Sequence, residues 1–84
     1  MDEKTLRALV EAGAVKQIRI IADGARFHVE ADTPASSVTV FTLRGTVKTW
    51  GTLDTAAKWG RSLGIGKIHL DVARWAPGQK GLNL

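Results

Sequence analysis

Two alternating apolar runs flank the dipeptide Asp23-Gly24, and no other feature of the chain constrains its fold as tightly. Asp-Gly favours the two-residue type I′ turn, whose twist matches that of paired strands. Residues 15–22 and 25–31 therefore read as the arms of a β-hairpin. Counting outward from the turn sets Ile20 across from Phe27 and Ile18 across from Val29, all four on one face. The other face receives Ile21 with Arg26, Arg19 with His28, and Gln17 with Glu30. A slip by one residue would scramble this sorting, so turn chemistry and hydrophobic pattern support each other.

The hairpin is preceded by a short helix. The Asp2 carboxylate can accept from free amides of a first turn, Leu6, Leu9 and Val10 fall on one stripe, and Gly13 supplies the left-handed residue that often ends a helix. After the hairpin, Pro34 and its neighbours form a loop, because proline lacks an amide donor and holds the preceding residue extended. Residues 37–50 are β-branched and aromatic, interrupted by Arg44-Gly45. That dipeptide is either a second tight turn or a bulge in one long bent strand; the change of apolar phase from Val38/Val40 to Phe41/Leu43 favours the turn.

Thr52 caps a second helix with Asp54 near its positive dipole end. Leu53, Ala56, Ala57, Gly60 and Leu63 form its narrow apolar stripe, and Gly64 ends it. Lys67 to Val72 is the last strand, with Ile68, Leu70 and Val72 inward and Lys67, His69 and Asp71 outward. The expected fold is a two-layer α+β domain of order α-β-β-β(-β)-α-β. Its mostly antiparallel sheet has about four strands, and both helices lie on one face. Residues 1–76 form a single domain, a size at which one core is the rule, and residues 77–84 form an irregular tail.

Several function classes lose their chemistry at the level of composition. The chain contains no cysteine, so thiolate metal sites and disulfide frameworks are excluded. No serine sits in a nucleophile elbow. His69 and Asp71 point the same way from one strand, but two ligands make an incomplete metal site or acid/base pair. Pro77-Gly78-Gln79-Lys80-Gly81 lacks the setting of a phosphate cradle. No catalytic residue, metal, cofactor or small-molecule substrate is expected. No apolar run approaches the roughly 18 residues of a membrane span, and Met1-Asp2-Glu3-Lys4 is unlike a secretory signal. A soluble cytoplasmic protein without a membrane partner is the expectation.

Charge is unevenly spread. Residues 1–42 hold five Lys/Arg against six Asp/Glu, whereas residues 43–84 hold seven against Asp54 and Asp71. Such asymmetry marks either a nucleic-acid or acidic-partner surface, or a solvated face that keeps the chain dispersed. Trp50, Trp59 and Trp75 all lie in the basic half beside Lys or Arg. They are either stacking platforms for unpaired bases or lids on a small core. The candidate contacts are Lys48, Lys58, Arg61, Lys67 and Arg74, with Trp75 as the stacking residue. Ile21 and either Val40 or Phe41, with Trp50 nearby, are expected on the sheet face that the helices do not cover. A homodimer would cover that apolar patch.

Val47-Lys48-Thr49-Trp50-Gly51-Thr52-Leu53-Asp54-Thr55-Ala56-Ala57-Lys58-Trp59, continuing through Arg61-Ser62-Leu63-Gly64-Ile65 and Ile68-His69-Leu70-Asp71-Val72, resembles the C-terminal half of small plasmid partition-associated proteins, the ParC family. The resemblance covers roughly residues 46–78 and departs from the family at Gly60, where a larger apolar residue is usual. It implies a non-enzymatic accessory role in plasmid or mobile-element maintenance, with DNA or a partition protein as partner. An adaptor or inhibitor that binds protein without touching nucleic acid is the alternative.

Overall fold

The computed structural model describes residues 1–76; the tail expected at 77–84 lies outside them. Seven elements follow one another: α1 (Glu3–Glu11), β1 (Gln17–Gly24), β2 (Arg26–Asp32), β3 (Ser37–Thr39), β4 (Thr49–Trp50), α2 (Leu53–Ser62) and β5 (Ile68–Trp75). The sheet runs β3-β2-β1-β5, with β4 also pairing β2. Every pairing is antiparallel except that of β1 with β5. This is the expected α+β fold, with both helices on one side of a mixed, mostly antiparallel sheet.

Local chemistry starts and stops both helices where the residues suggest. Asp2 Oδ1 accepts from the Thr5 amide at 2.8 Å, and Thr52 Oγ1 accepts from the Thr55 amide at 3.2 Å. Gly13 and Gly64 follow the helix ends at φ of 73° and 93°, a region costly for any residue with a Cβ.

The β1–β2 hairpin forms in a register two residues away from the expected one. Ile20 pairs with Val29, Ile18 with Ala31 and Arg19 with Glu30. The loop residues are Gly24 and Ala25, and Gly24 alone has positive φ, 65°. Glycine at the first central position is the signature of a type II′ turn rather than I′. Because side chains alternate with period two, a shift of two residues moves every pairing yet leaves each face intact. Ile18, Ile20, Ala22, Phe27, Val29 and Ala31 accordingly all join the core, together with Leu6, Val40, Ala56 and Leu63.

Residues 37–50 form less strand than their β-branched composition suggests. Pairing with β2 persists through Val40, whose amide donates to Val29 O. The chain then leaves the sheet, and the Phe41 amide donates to Met1 O at 2.6 Å. A small hairpin follows, closed by a Phe41–Val47 bridge and by Thr42 N–H donating to Thr46 O at 2.7 Å. Gly45, at φ 88°, completes the three-residue loop Leu43-Arg44-Gly45. Arg44-Gly45 therefore belongs to a turn and not to a bulged strand.

α2 lies close to the sheet because Gly60 has no side chain. A Cβ built there would stand 2.6 Å from Ile68 Cδ1. That atom is the free end of a flexible side chain, so Gly60→Ala is expected to be nearly neutral, the relief of glycine's helix penalty of about 1 kcal/mol offsetting the displacement of Ile68. Gly60→Leu, which must push the whole helix outward, is expected to destabilise by roughly 1–3 kcal/mol in urea titrations.

Candidate interaction surfaces

Topology separates the cations that the sequence groups together. Lys58 and Arg61 are exposed on α2 and Lys67 on the loop after it. Lys58 Nζ lies 3.1 Å from Asp54 Oδ2. Arg74 pairs across the sheet with Asp23, Nη2 to Oδ2 at 3.3 Å. Asp23 shares its strand face with Arg19 and Ile21, which is the face turned away from the helices. Arg74 thus stands on the opposite side of the molecule from Lys58 and Arg61. Lys48 is half-buried, its Nζ 5.5 Å from the Trp50 ring centroid. The five candidate contacts do not converge on one face.

The tryptophans divide as well. Trp50 and Trp59 pack on each other with centroids 4.9 Å apart, both against the core. The Trp59 indole donates to Glu3 Oε1 at 2.8 Å and so ties α2 to α1. That bond, ahead of Arg7 alongside, holds the Glu3 carboxyl below its ordinary range. Trp75 packs obliquely on Phe27, centroids 6.3 Å apart, yet stays 45% exposed.

The sheet face away from the helices is polar, which corrects the expectation of an apolar patch there. Val40 is buried in the core and Trp50 packs against it, while Phe41 joins the N-terminal bridge. Ile21 is on the open face but only 7% exposed. Around it runs a hydrogen-bonded network. Arg19 donates to both Asp32 and Glu30, and Gln17 and Ser37 also donate to Asp32. These donors, Arg19 first, hold the Asp32 carboxyl far below the usual range. His69 and Asp71 share this face and are exposed; Asp71 Oδ1 accepts from the Ala73 amide at 2.9 Å. Among the described residues no group of three potential metal ligands forms.

The apolar surface lacking a cover lies instead on β5. This eight-residue strand is a sheet edge. α2 packs against β1, β2 and β4 and reaches β5 where Gly60 meets Ile68. Leu70 and Val72, expected inward, are each 45% exposed, as is Trp75. Pairing with β1 shifts register between Ile21 and Asp23, so β5 carries an extra residue near Val72-Ala73. The shift puts Arg74 on the same face as Asp71, and Trp75 on the same face as Leu70. No protein family, curated protein or solved structure matches this chain.

Proposed function

We propose that this chain is a non-catalytic protein-interaction module that works as a homodimer paired through the outer edge of β5. The observation that carries this reading is the long edge strand, with Leu70, Val72 and Trp75 nearly half exposed and no described strand on its side away from β1. An unpaired edge is a row of backbone donors and acceptors, to which a further strand adds. A bulge discourages indiscriminate addition, but a second copy brings the same bulge to the same place. In an antiparallel pair with its twofold axis at Val72-Ala73, Leu70 of one copy meets Trp75 of the other, and Asp71 meets Arg74, whose guanidinium is then shared with Asp23. Opposite charges and apolar side chains are then each matched across the interface.

Sedimentation velocity over a concentration series tests this directly. The wild-type chain is expected to dimerise, and Val72→Lys to weaken the dimer by tenfold or more, ~1.4 kcal/mol or above, since lysine on an edge opposes pairing. A wild-type chain that stays monomeric, or a dimer indifferent to Val72→Lys, would refute the proposal.

The setting we propose is the one the resemblance implies, an accessory in plasmid maintenance. The module would meet a DNA-bound partner by protein contact rather than grip phosphates itself. The local carboxylate partners of Lys58 and Arg74, and their positions on opposite sides, support this. Fluorescence anisotropy at low salt is expected to show no DNA binding. Affinity that falls steeply with ionic strength would instead mark direct phosphate contacts.

A further inference from the structure

A groove of about 820 Å³ opens between the first turns of α1 and the hairpin at residues 41–47. Its apolar surface comes from Phe41 and Leu43, and Lys4, Arg7, Arg44 and Lys48 stand around it. Leu43 is 90% exposed. The loop holding it is fixed by the Thr42–Thr46 hydroxyl contact at 2.8 Å and by Gly45 N–H donating to Thr42 O at 2.9 Å. The closed turn fixes the backbone that displays this leucine, so the loop itself needs little further ordering on binding.

Two carboxylates also line the groove, each holding local hydrogen bonds. Asp2 caps α1, and Glu3 accepts from Trp59 and from Arg7, the latter at 3.2 Å. Arg7 is occupied in turn, by Glu3 and by Ser62 O. Lys4, Arg44 and Lys48 have no carboxylate at ion-pair distance among the described residues. Four cations against two carboxylates leave the groove with an excess of positive charge around an apolar floor, and three of those cations lack a direct ion pair among the described residues.

We infer that this groove is a docking site for an acidic peptide segment of a partner protein, which sets one apolar side chain on Phe41 and Leu43 while its carboxylates meet Lys4, Arg44 and Lys48. A small metabolite is a poorer fit. Such sites orient their ligand with a few buried polar groups, and no described polar side chain here is buried. Nucleic acid is also a poorer fit. Phe41 is the one aromatic ring in the lining, whereas strand binding uses successive stacking faces. The site is separate from β5, so its fate does not depend on dimerisation.

The probe is an array of short Asp/Glu-rich peptides, each with one central Leu or Phe, read by fluorescence polarisation at low and high salt. An equally charged array without the apolar residue and a labelled single-stranded oligonucleotide are run beside it. Members of the first array are expected to bind, more weakly at high salt, and with about tenfold lower affinity to Arg44→Glu and to Leu43→Ser. Both positions are exposed, so circular dichroism should be unchanged, and Val72→Lys should bind like wild type. If no peptide of the first array binds, if those bound ignore Arg44→Glu and Leu43→Ser, or if the apolar residue makes no difference, the inference is wrong. Preferential capture of the oligonucleotide overturns it equally.

Discussion

Leu6→Ala is expected to cost about 3 kcal/mol of stability, within the range of 2–5 for a leucine truncated in a close-packed core. A domain of 84 residues holds roughly 4–12 kcal/mol in total, so the loss is a large fraction of the whole. Leu6 is fully buried and is the buried residue through which α1 enters the core. Its neighbours on the apolar stripe, Leu9 and Val10, are only half-buried, so Leu9→Ala should cost clearly less. Urea unfolding followed by tryptophan fluorescence gives both values. The midpoint should fall without a change of slope, because the surface exposed on unfolding scarcely alters. A Leu6→Ala cost below about 1 kcal/mol would mean that α1 is not docked as described. The same variant should lose peptide binding in the groove, since α1 forms one of its walls.

The elements that could be read from sequence are those fixed by neighbours along the chain. Asp2 and Thr52 cap helices through bonds spanning three residues, and Gly13 and Gly64 end them. The hairpin could be read for a different reason: its face sorting depends only on parity, so it survived a turn placed one residue early. What could not be read was set by contacts distant in sequence. The run Val38 to Val47 has strand composition, but it leaves β2 because Phe41 bonds to the chain at Met1, some 40 residues away. Leu70 and Val72 alternate like core residues, yet whether a helix covers them depends on where α2 lies.

The same distinction separates the candidate sites. Proximity in sequence made Lys58, Arg61, Lys67 and Arg74 look like one patch. The parallel pairing of β1 with β5 instead carries Arg74 to Asp23, 51 residues earlier, on the far side of the sheet. The groove draws cations from both halves of the chain, Lys4 from the near-neutral one and Arg44 and Lys48 from the basic one. A count of charge by halves cannot register such a site. Its one local signal was Leu43 beside Arg44-Gly45, an apolar residue at a tight turn where polar residues are usual.

Trp59 is the second position where a large effect is expected. Trp59→Ala removes the ring packed on Trp50, a tie between helix and sheet, and the bond to Glu3, a tie between the two helices, and should cost about 3 kcal/mol, the low end for an aromatic truncation because the residue is half-buried. Trp59→Phe keeps most of the ring and loses the indole donor. With the Glu3 side chain 40% exposed, that loss should be about 1 kcal/mol or less. The two variants respond differently to pH. The folded pKa of Glu3 is lowered from its ordinary 4.5, so the native state binds fewer protons than the unfolded one in that range. The bond's contribution is therefore complete above about pH 5 and fades as pH falls through the lowered value. Wild type and Trp59→Phe should differ at pH 7 and converge as pH falls below the lowered value, whereas the deficit of Trp59→Ala should persist in acid, because ring packing does not titrate. A Trp59→Phe deficit that is the same in acid as at pH 7 would show that the indole is not held by the Glu3 carboxylate.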